Sequence, residues 1–310
     1  MTASQCPGGT APGYDAVVFA HGGLFSHAVT EWTWDPVTIV LLVVSGLVYA
    51  RGVRVLWVRA GRGQGISGWQ MASFGLGLLS LALALISPLA WLSEVFFSAH
   101  MTQHEILMLV SAPLFCFGRP LIAALWAFPR HWRERSGRFT HRRDVAAAWR
   151  ALTSPLSAFL LHALALWIWH IPTLFEAALH DAGIHALQHG SFLLTAALFW
   201  WGMMHGRYGR IGYGVAVLYV FLTAVHSSLL GALLTVAPTV WYPWYTAAAV
   251  TWQVSALEDQ QLAGLLMWVP SGVIFIVLGL ALFAAWLGES ERRAALGTVP
   301  AGPPKASRAH

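Results

Sequence analysis

Two pairs of histidines share a four-residue spacing that suits metal binding. His100 and His104 flank Met-Thr-Gln, and His185 and His189 flank Ala-Leu-Gln. Side chains four residues apart lie on the same face of a helix, with their Cβ atoms about 5–6 Å apart. Both imidazoles of a pair can therefore bind one ion, although such histidines also occur as hydrogen-bonded core residues. Either pair taken alone leaves both interpretations open.

Two further residues extend this pattern. His170 closes the fourth apolar segment of the chain, and Asp259 stands just ahead of the seventh. If the segments are helices packed side by side, these side chains reach the same depth as the two pairs. The predicted metal ligands are therefore His100, His104, His170, His185, His189 and Asp259.

The types of these ligands narrow the identity of the ion only in part. Imidazoles with few carboxylates suit copper, zinc or iron rather than magnesium or calcium. The thioethers of Met101, Met108 and Met267 would favour Cu(I), but methionines in apolar helices more often serve in packing. Paired histidines on facing helices can also bind haem. Gln103 and Gln188, each directly before the second histidine of a pair, are candidates for orienting the ligands through hydrogen bonds.

The elements that position these residues are predicted transmembrane helices. Of the 310 residues, 57% are hydrophobic and 10% are charged, whereas a soluble domain carries about 25% charged residues. A helix that crosses a bilayer needs about 20 apolar residues. Seven segments approach that length: 34–55, 68–91, 93–118, 155–171, 184–204, 214–236 and 263–287. We therefore predict an all-α, polytopic membrane protein with about seven transmembrane helices within residues 34–288.

The distribution of cationic residues predicts the orientation of these helices. All 18 Lys and Arg lie at or beyond the C-terminal ends of the first, third, fifth and seventh segments, which the positive-inside rule assigns to the cytoplasm. The N-terminal tail, 1–33, and the histidine-bearing ends are then outside, and the C-terminus is inside. The basic cytoplasmic loop, 119–154, is expected to contact lipid rather than nucleic acid. The Ala/Gly/Pro-rich tail, 289–310, is expected to be disordered.

Four blocks in this order carry a family resemblance. They are His100-MTQ-His104-EILMLVSAPLFCFGRP, Trp169-His170-Ile-Pro172, His185-ALQ-His189 and Asp259-Gln260-Gln261-LAGLLMWVP. Together they resemble the CtaG family of cytochrome c oxidase assembly proteins, the seven-span bacterial family, over residues 32 to about 287. The resemblance implies a multi-pass protein of the bacterial plasma membrane that is needed to produce active haem–copper oxidase, by delivering or holding copper. It carries over all six predicted ligands and adds Gln260 and Trp268 as residues that orient them. The family usually has an apolar residue where Glu105 stands, which leaves the role of Glu105 open.

Three functions could use the same residues. The first is an assembly factor that passes copper to oxidase subunits or to a periplasmic copper chaperone, and we favour it over an enzyme without deciding the matter. The second is a membrane metalloenzyme or a haem-binding redox protein, and the third is a transporter. Transport is disfavoured because no cytoplasmic histidine or acid mirrors the outer cluster, and the sixth segment offers only His226. Copper is the expected metal, with zinc, iron and haem as alternatives.

Overall fold

Helices account for almost all of the described chain. The computed structural model describes residues 31–205 and 213–297, and no strand occurs among them. The helices are, in chain order, α1 (Pro36–Ala60), α2 (Gly68–Leu85), α3 (Pro88–Val95), α4 (Phe97–Phe117), α5 (Pro120–Ala127), α6 (Arg130–Thr140), α7 (Arg143–Leu152), α8 (Pro155–Trp169), α9 (Pro172–His180), α10 (Ala182–His205), α11 (Tyr213–Val236), α12 (Trp244–Trp252) and α13 (Ala256–Gly297). The predicted all-α class is confirmed for these residues. The predictions for residues 1–30, for Arg207 and Arg210, and for residues 298–310 lie outside the described residues.

Polar N-caps and prolines determine where α1 and α3 begin. α1 begins after Asp35, whose carboxylate accepts a 2.7 Å hydrogen bond from the backbone N–H of Thr38. Hydrogen bonds from the side chain and backbone of Thr38 lower the pKa of the Asp35 carboxyl. α2 ends before Ser87, which caps a new helix that starts with Pro88. The predicted second segment, 68–91, is therefore two helices.

Helix length and composition indicate how many helices of the described chain could cross a membrane. Four helices, α1, α2, α11 and α13, are long and apolar enough to cross a membrane. The number rises to six if each of two bent pairs forms one span: α4 with α5, bent by 56°, and α7 with α8, bent by 59°. α10 has 24 residues but does not qualify, because its histidines and glutamine lower its apolar character. The structure thus gives a multi-span membrane protein with four to six spans by this criterion, against about seven predicted.

Glycines allow neighbouring helices to approach closely. On α11 and α13, a Cβ atom added to Gly264 would lie 2.6 Å from the carbonyl oxygen of Gly231. On α1 and α5, a Cβ atom added to Gly52 would overlap the carbonyl oxygen of Ala123. Such contacts are typical of helices in a bilayer, where close van der Waals packing replaces the hydrophobic effect as the source of association.

α4 contains a π-helical turn directly after its histidines. Residues Ile106–Ser111 form this turn, and the N–H of Ala112 donates to the carbonyl of Leu107, five residues back. A π turn accommodates one extra residue in a helix and often occurs at functional sites. The indole N–H of Trp200 on α10 donates a 2.9 Å hydrogen bond to the carbonyl of Met108 within the turn. The turn therefore links the two helices that carry the histidine pairs.

Two segments that we predicted as a basic loop and as a disordered tail contain helix. The basic loop, 119–154, includes α5, α6 and α7. Arg119, which precedes α5, has a left-handed backbone with a φ of 52°, so the chain turns sharply between α4 and α5. α13 continues to Gly297, so residues 289–297 of the predicted disordered tail are helical. The physical reason is their content of Glu, Arg, Ala and Leu, which are strong helix formers.

Candidate metal centre

Five histidines from two helices and one helix end converge in the interior of the protein. α4 supplies His100 and His104, the C-terminal cap of α8 is His170, and α10 supplies His185 and His189. The ring centroid of His100 lies 4.5 Å from that of His104 and 5.3 Å from that of His185. The ring centroid of His104 lies 5.1 Å from that of His189. The structure thus brings together all five histidines predicted as ligands.

Three of these histidines lie close enough together to hold a metal ion, and we call them the nitrogen group: His100, His185 and His189. One ring nitrogen of each lies within 4.8 Å of the other two. The Nε2 atoms of His185 and His189 are 3.1 Å apart. Two nitrogens that bind one ion at about 2.0 Å and a tetrahedral angle are about 3.3 Å apart. The α10 pair is already close to this separation, and a ring nitrogen of His100 lies within 4.8 Å of both.

Tyr245 of α12 fixes the orientation of His100, which sequence reasoning did not predict. Its hydroxyl lies 3.2 Å from the Ser93 carbonyl oxygen and 3.3 Å from Nδ1 of His100. Because the carbonyl can only accept, the single hydroxyl proton goes to Ser93, and the hydroxyl accepts from Nδ1. Nε2 of His100 then carries a lone pair and has no hydrogen-bond partner in the described part of the chain. Tyr245 thereby favours the tautomer of His100 in which Nε2 can bind an ion.

His104 is the most isolated imidazole of the five. Only 1% of its surface is exposed, and neither ring nitrogen has a hydrogen-bond partner within residues 31–205 and 213–297. Leaving a buried polar atom unpaired costs about 1–3 kcal/mol. Its ring packs between His100 on one side and His170, at a centroid distance of 6.4 Å, on the other. A bound ion would satisfy the ring nitrogen that carries the lone pair, while the other nitrogen carries the hydrogen.

The structure does not bring Asp259 into the nitrogen group. Its carboxylate accepts hydrogen bonds from the backbone N–H of Phe97 at 2.7 Å, from that of Ser98 at 3.3 Å, and from the Ser98 hydroxyl at 2.5 Å. These donors belong to the first turn of α4, where N–H groups lack an intrahelical partner and the helix dipole favours an anion. Asp259 therefore caps the helix that carries His100 and His104.

The two glutamines next to the histidine pairs have different surroundings. Gln103 donates a 2.7 Å hydrogen bond to the carbonyl of Ala84, so its amide nitrogen joins α4 to α2. Gln188 is fully buried beside His100. Neither of its amide atoms makes a well-formed hydrogen bond to the described residues. Gln188 is thus the glutamine placed to orient a ligand.

Gln260 and Trp268, which the resemblance suggested as orienting residues, contact other elements. Gln260 accepts a 2.6 Å hydrogen bond from the backbone N–H of Trp241 and donates at 3.1 Å to the carbonyl of Thr239. It therefore holds the segment between α11 and α12. Trp268 packs against Gly231 at the contact between α11 and α13.

The donor set fits a transition metal that prefers imidazole. The nitrogen group contains no carboxylate or thiolate, which suits copper, zinc or iron and excludes magnesium and calcium as preferred ions. Aromatic rings wall the site: Phe175 lies 5.0 Å from His100, and Phe192 lies 4.7 Å from His104, between ring centroids. These rings cover the side of the site at His100 and His104, which are buried, whereas His185 and His189 are partly exposed.

Helices of membrane length surround a histidine cluster, which defines a class of multi-span helical membrane proteins, and comparison identifies the family. The chain belongs to the cytochrome c oxidase caa3 assembly factors, the CtaG family, whose model matches residues 47–289. This range contains every histidine of the cluster. The resemblance seen in the sequence is confirmed.

Individual relatives are more distant. The chain is 24% identical over 277 residues to an uncharacterized protein of Mycobacterium leprae, covering 85% of this chain and 40% of that protein. Uncharacterized proteins of Mycobacterium bovis and Mycobacterium tuberculosis are 24% identical over 280 residues, covering 86% of this chain and 41% of each. The chain thus spans about 40% of the length of the curated relatives it matches. No solved structure matches this chain.

Proposed function

We propose that this protein binds copper at the nitrogen group, and holds or delivers it for the metal centres of a haem–copper oxidase. The observation that carries the proposal is the nitrogen group itself, in which ring nitrogens of three histidines lie within 4.8 Å of one another. Membership of an oxidase assembly family supplies the setting. The expected partners are oxidase subunits or a periplasmic copper chaperone.

The proposed topology is seven spans in the bacterial plasma membrane, with the N-terminus outside and the C-terminus in the cytoplasm. α10 is the additional span, because 24 residues at about 1.5 Å per residue exceed a hydrocarbon core of about 30 Å. The polar residues of α10 face the histidine cluster, which explains why this helix can carry them within a bilayer. The histidine ends of α4 and α8 are opposite the ends that adjoin Arg119 and Arg150. By the positive-inside rule, the nitrogen group then lies toward the outer face of the membrane.

Copper is favoured over haem by the packing of the rings. The ring centroids of His185 and His189 lie 4.2 Å apart on one helix, and His104 packs edge-on against His100 at 4.5 Å. Haem ligation by two histidines would require an open slot for the macrocycle between facing imidazoles. The neighbouring Phe175 and Phe192 already fill the adjoining space.

The test is metal analysis of the protein purified in mild detergent. After loading with Cu(II) and removal of free ion, we expect about one Cu(II) per chain for the intact nitrogen group. The double variant His185→Gln, His189→Gln should lose this ion, since two of the three donors are removed. His226→Gln is the matched control, because His226 has two unpartnered ring nitrogens among the described residues but lies outside the nitrogen group.

The same variants decide the role in assembly when they replace the native protein in cells. Oxidase activity in the membranes should fall with the double variant and stay unchanged with His226→Gln. Normal oxidase activity in the double variant would refute copper delivery by these residues. A Soret band in the purified protein would instead point to a haem-binding function.

A further inference from the structure

Met101 and His170 make a buried contact that is not a hydrogen bond. Sδ of Met101 lies 3.5 Å from Nε2 of His170. Nδ1 of His170 lies 2.7 Å from the carbonyl oxygen of Leu166. Because a carbonyl only accepts, Nδ1 carries the hydrogen and Nε2 of the neutral ring carries a lone pair. A thioether has no hydrogen either, so two lone-pair atoms face each other.

Protonation of Nε2 of His170, which would allow it to donate a hydrogen bond to the sulfur, does not explain this contact. Its ring neighbours are His104, Phe175 and Phe192, none of which is acidic. Met101 and His170 expose only 1% and 3% of their surfaces. A full positive charge without a carboxylate partner is expensive in such surroundings. The contact is therefore between two uncharged atoms that each offer a lone pair.

The separation of the two donors matches joint binding of one ion. Metal bonds of about 2.0 Å to nitrogen and 2.3 Å to sulfur, at an angle of about 109°, place the two atoms about 3.5 Å apart. The observed distance is 3.5 Å. The hydroxyl of Tyr242 donates a 2.9 Å hydrogen bond to the carbonyl of His170 and so fixes this residue at the end of α8.

His104 supplies a third possible metal ligand beside Met101 and His170. It lies three residues after Met101 on α4, so the two side chains share a helix face. Both of its ring nitrogens lack a hydrogen-bond partner in the described ranges, and its ring centroid is 6.4 Å from that of His170. We propose that Met101, His104 and His170 form a second metal site, the sulfur-containing site, which selects Cu(I).

The selectivity follows from the softness of the ligands. A thioether favours Cu(I) and contributes little to the binding of zinc or Cu(II), whereas imidazoles accept all three ions. The inference rests on the proposed function for the identity of its metal, and it adds a preference for the oxidation state. His104, a ligand of the sulfur-containing site, also contacts the nitrogen group, since its ring centroid lies 4.5 Å from that of His100.

The test is an anaerobic Cu(I) titration of the full chain in detergent, with bicinchoninate as the competing chelator. The wild type should bind about two Cu(I) per chain, one at each site. Met101→Leu conserves volume and removes the sulfur, so its affinity for the second Cu(I) should fall at least about tenfold. Met108→Leu is the matched control, because Met108 is also a buried methionine of α4 and should leave both affinities unchanged.

X-ray absorption of the wild type loaded with Cu(I) tests the sulfur directly, independently of any variant. A sulfur scatterer at about 2.3 Å is expected. Its absence, or equal Cu(I) binding by Met101→Leu and the wild type, overturns the sulfur-containing site while leaving the nitrogen group intact. If the wild type binds no copper in either oxidation state, the proposed function itself is refuted. Retained Cu(II) binding by Met101→Leu shows that this variant is folded.

Discussion

Replacing Asp259 by asparagine separates helix capping from metal binding. The carboxylate accepts from Phe97 and Ser98 at the start of α4, and only 6% of its surface is exposed. Asparagine keeps the shape but offers one oxygen instead of two. Its amide group would face one of the two backbone N–H donors, and the negative charge at the helix start would be lost.

The expected cost follows from these contacts. A hydrogen bond to a charged group contributes about 1.5–3 kcal/mol, and a neutral one about 1 kcal/mol. The interaction of a charge with the helix dipole adds about 0.3–1 kcal/mol. Asparagine would lose the two charged backbone hydrogen bonds and the dipole interaction, and would regain about one neutral hydrogen bond. Asp259→Asn should therefore lower the free energy of unfolding by about 2–6 kcal/mol.

The assay combines denaturant unfolding in detergent, followed by tryptophan fluorescence, with Cu(II) stoichiometry. Stability should fall, while the variant that remains folded should bind as much Cu(II) as the wild type. Asp181→Asn is the control, because Asp181 caps α10 in an exposed position through a 2.8 Å hydrogen bond from Ile184. It should cost at most about 1 kcal/mol. Loss of the metal from Asp259→Asn without loss of stability would show that Asp259 is a ligand and refute the capping role.

Two further predictions concern helix packing and ligand orientation. Gly264→Ala should lower the free energy of unfolding by about 1–3 kcal/mol, because its Cβ would lie 2.6 Å from the Gly231 carbonyl oxygen. The control in the unfolding measurement is Gly272→Ala, whose Cβ would meet nothing within 4 Å. Equal stabilities of the two variants would contradict the close contact at Gly264. Tyr245→Phe removes the hydroxyl that orients His100 and should weaken Cu(II) binding about tenfold at unchanged stoichiometry. Unchanged Cu(II) affinity in a competition titration would show that Tyr245 does not orient the ligand.

The histidine cluster was predictable from the sequence because helix periodicity is a local property. His100 and His104 must share a face of any helix that contains them, and the same holds for His185 and His189. His170 follows from the position at which Pro172 starts a new helix. The position of each residue along its apolar segment then predicts that the two histidine pairs and His170 lie at the same depth in the membrane. This prediction needs no knowledge of how the helices pack.

The contacts made over long sequence separations were not predictable in this way. Asp259 stands at the depth of the histidines, but depth does not reveal that the nearest groups are the backbone donors at Phe97. Tyr245 contacts His100 across 145 residues, and no spacing rule connects them. The partner of Met101 likewise depends on the angle at which α4 meets the end of α8. Each of these depends on helix packing, which the sequence specifies only through many contacts at once.

The π-helical turn in α4 separates the angular phase of this helix from its residue count. Because the turn holds one residue more than a regular turn, removing one residue from Ile106–Ser111 would restore a regular helix and leave both halves in nearly the same orientation. His104 would stay in the pocket, and Cys116 would keep its 3.3 Å contact with the carbonyl of Ala197. The same deletion among the regular residues Ala112–Phe117 would rotate Cys116 against the histidines by about 100°. The turn is thus a point in α4 at which the chain can shorten without turning the ligands away from the site.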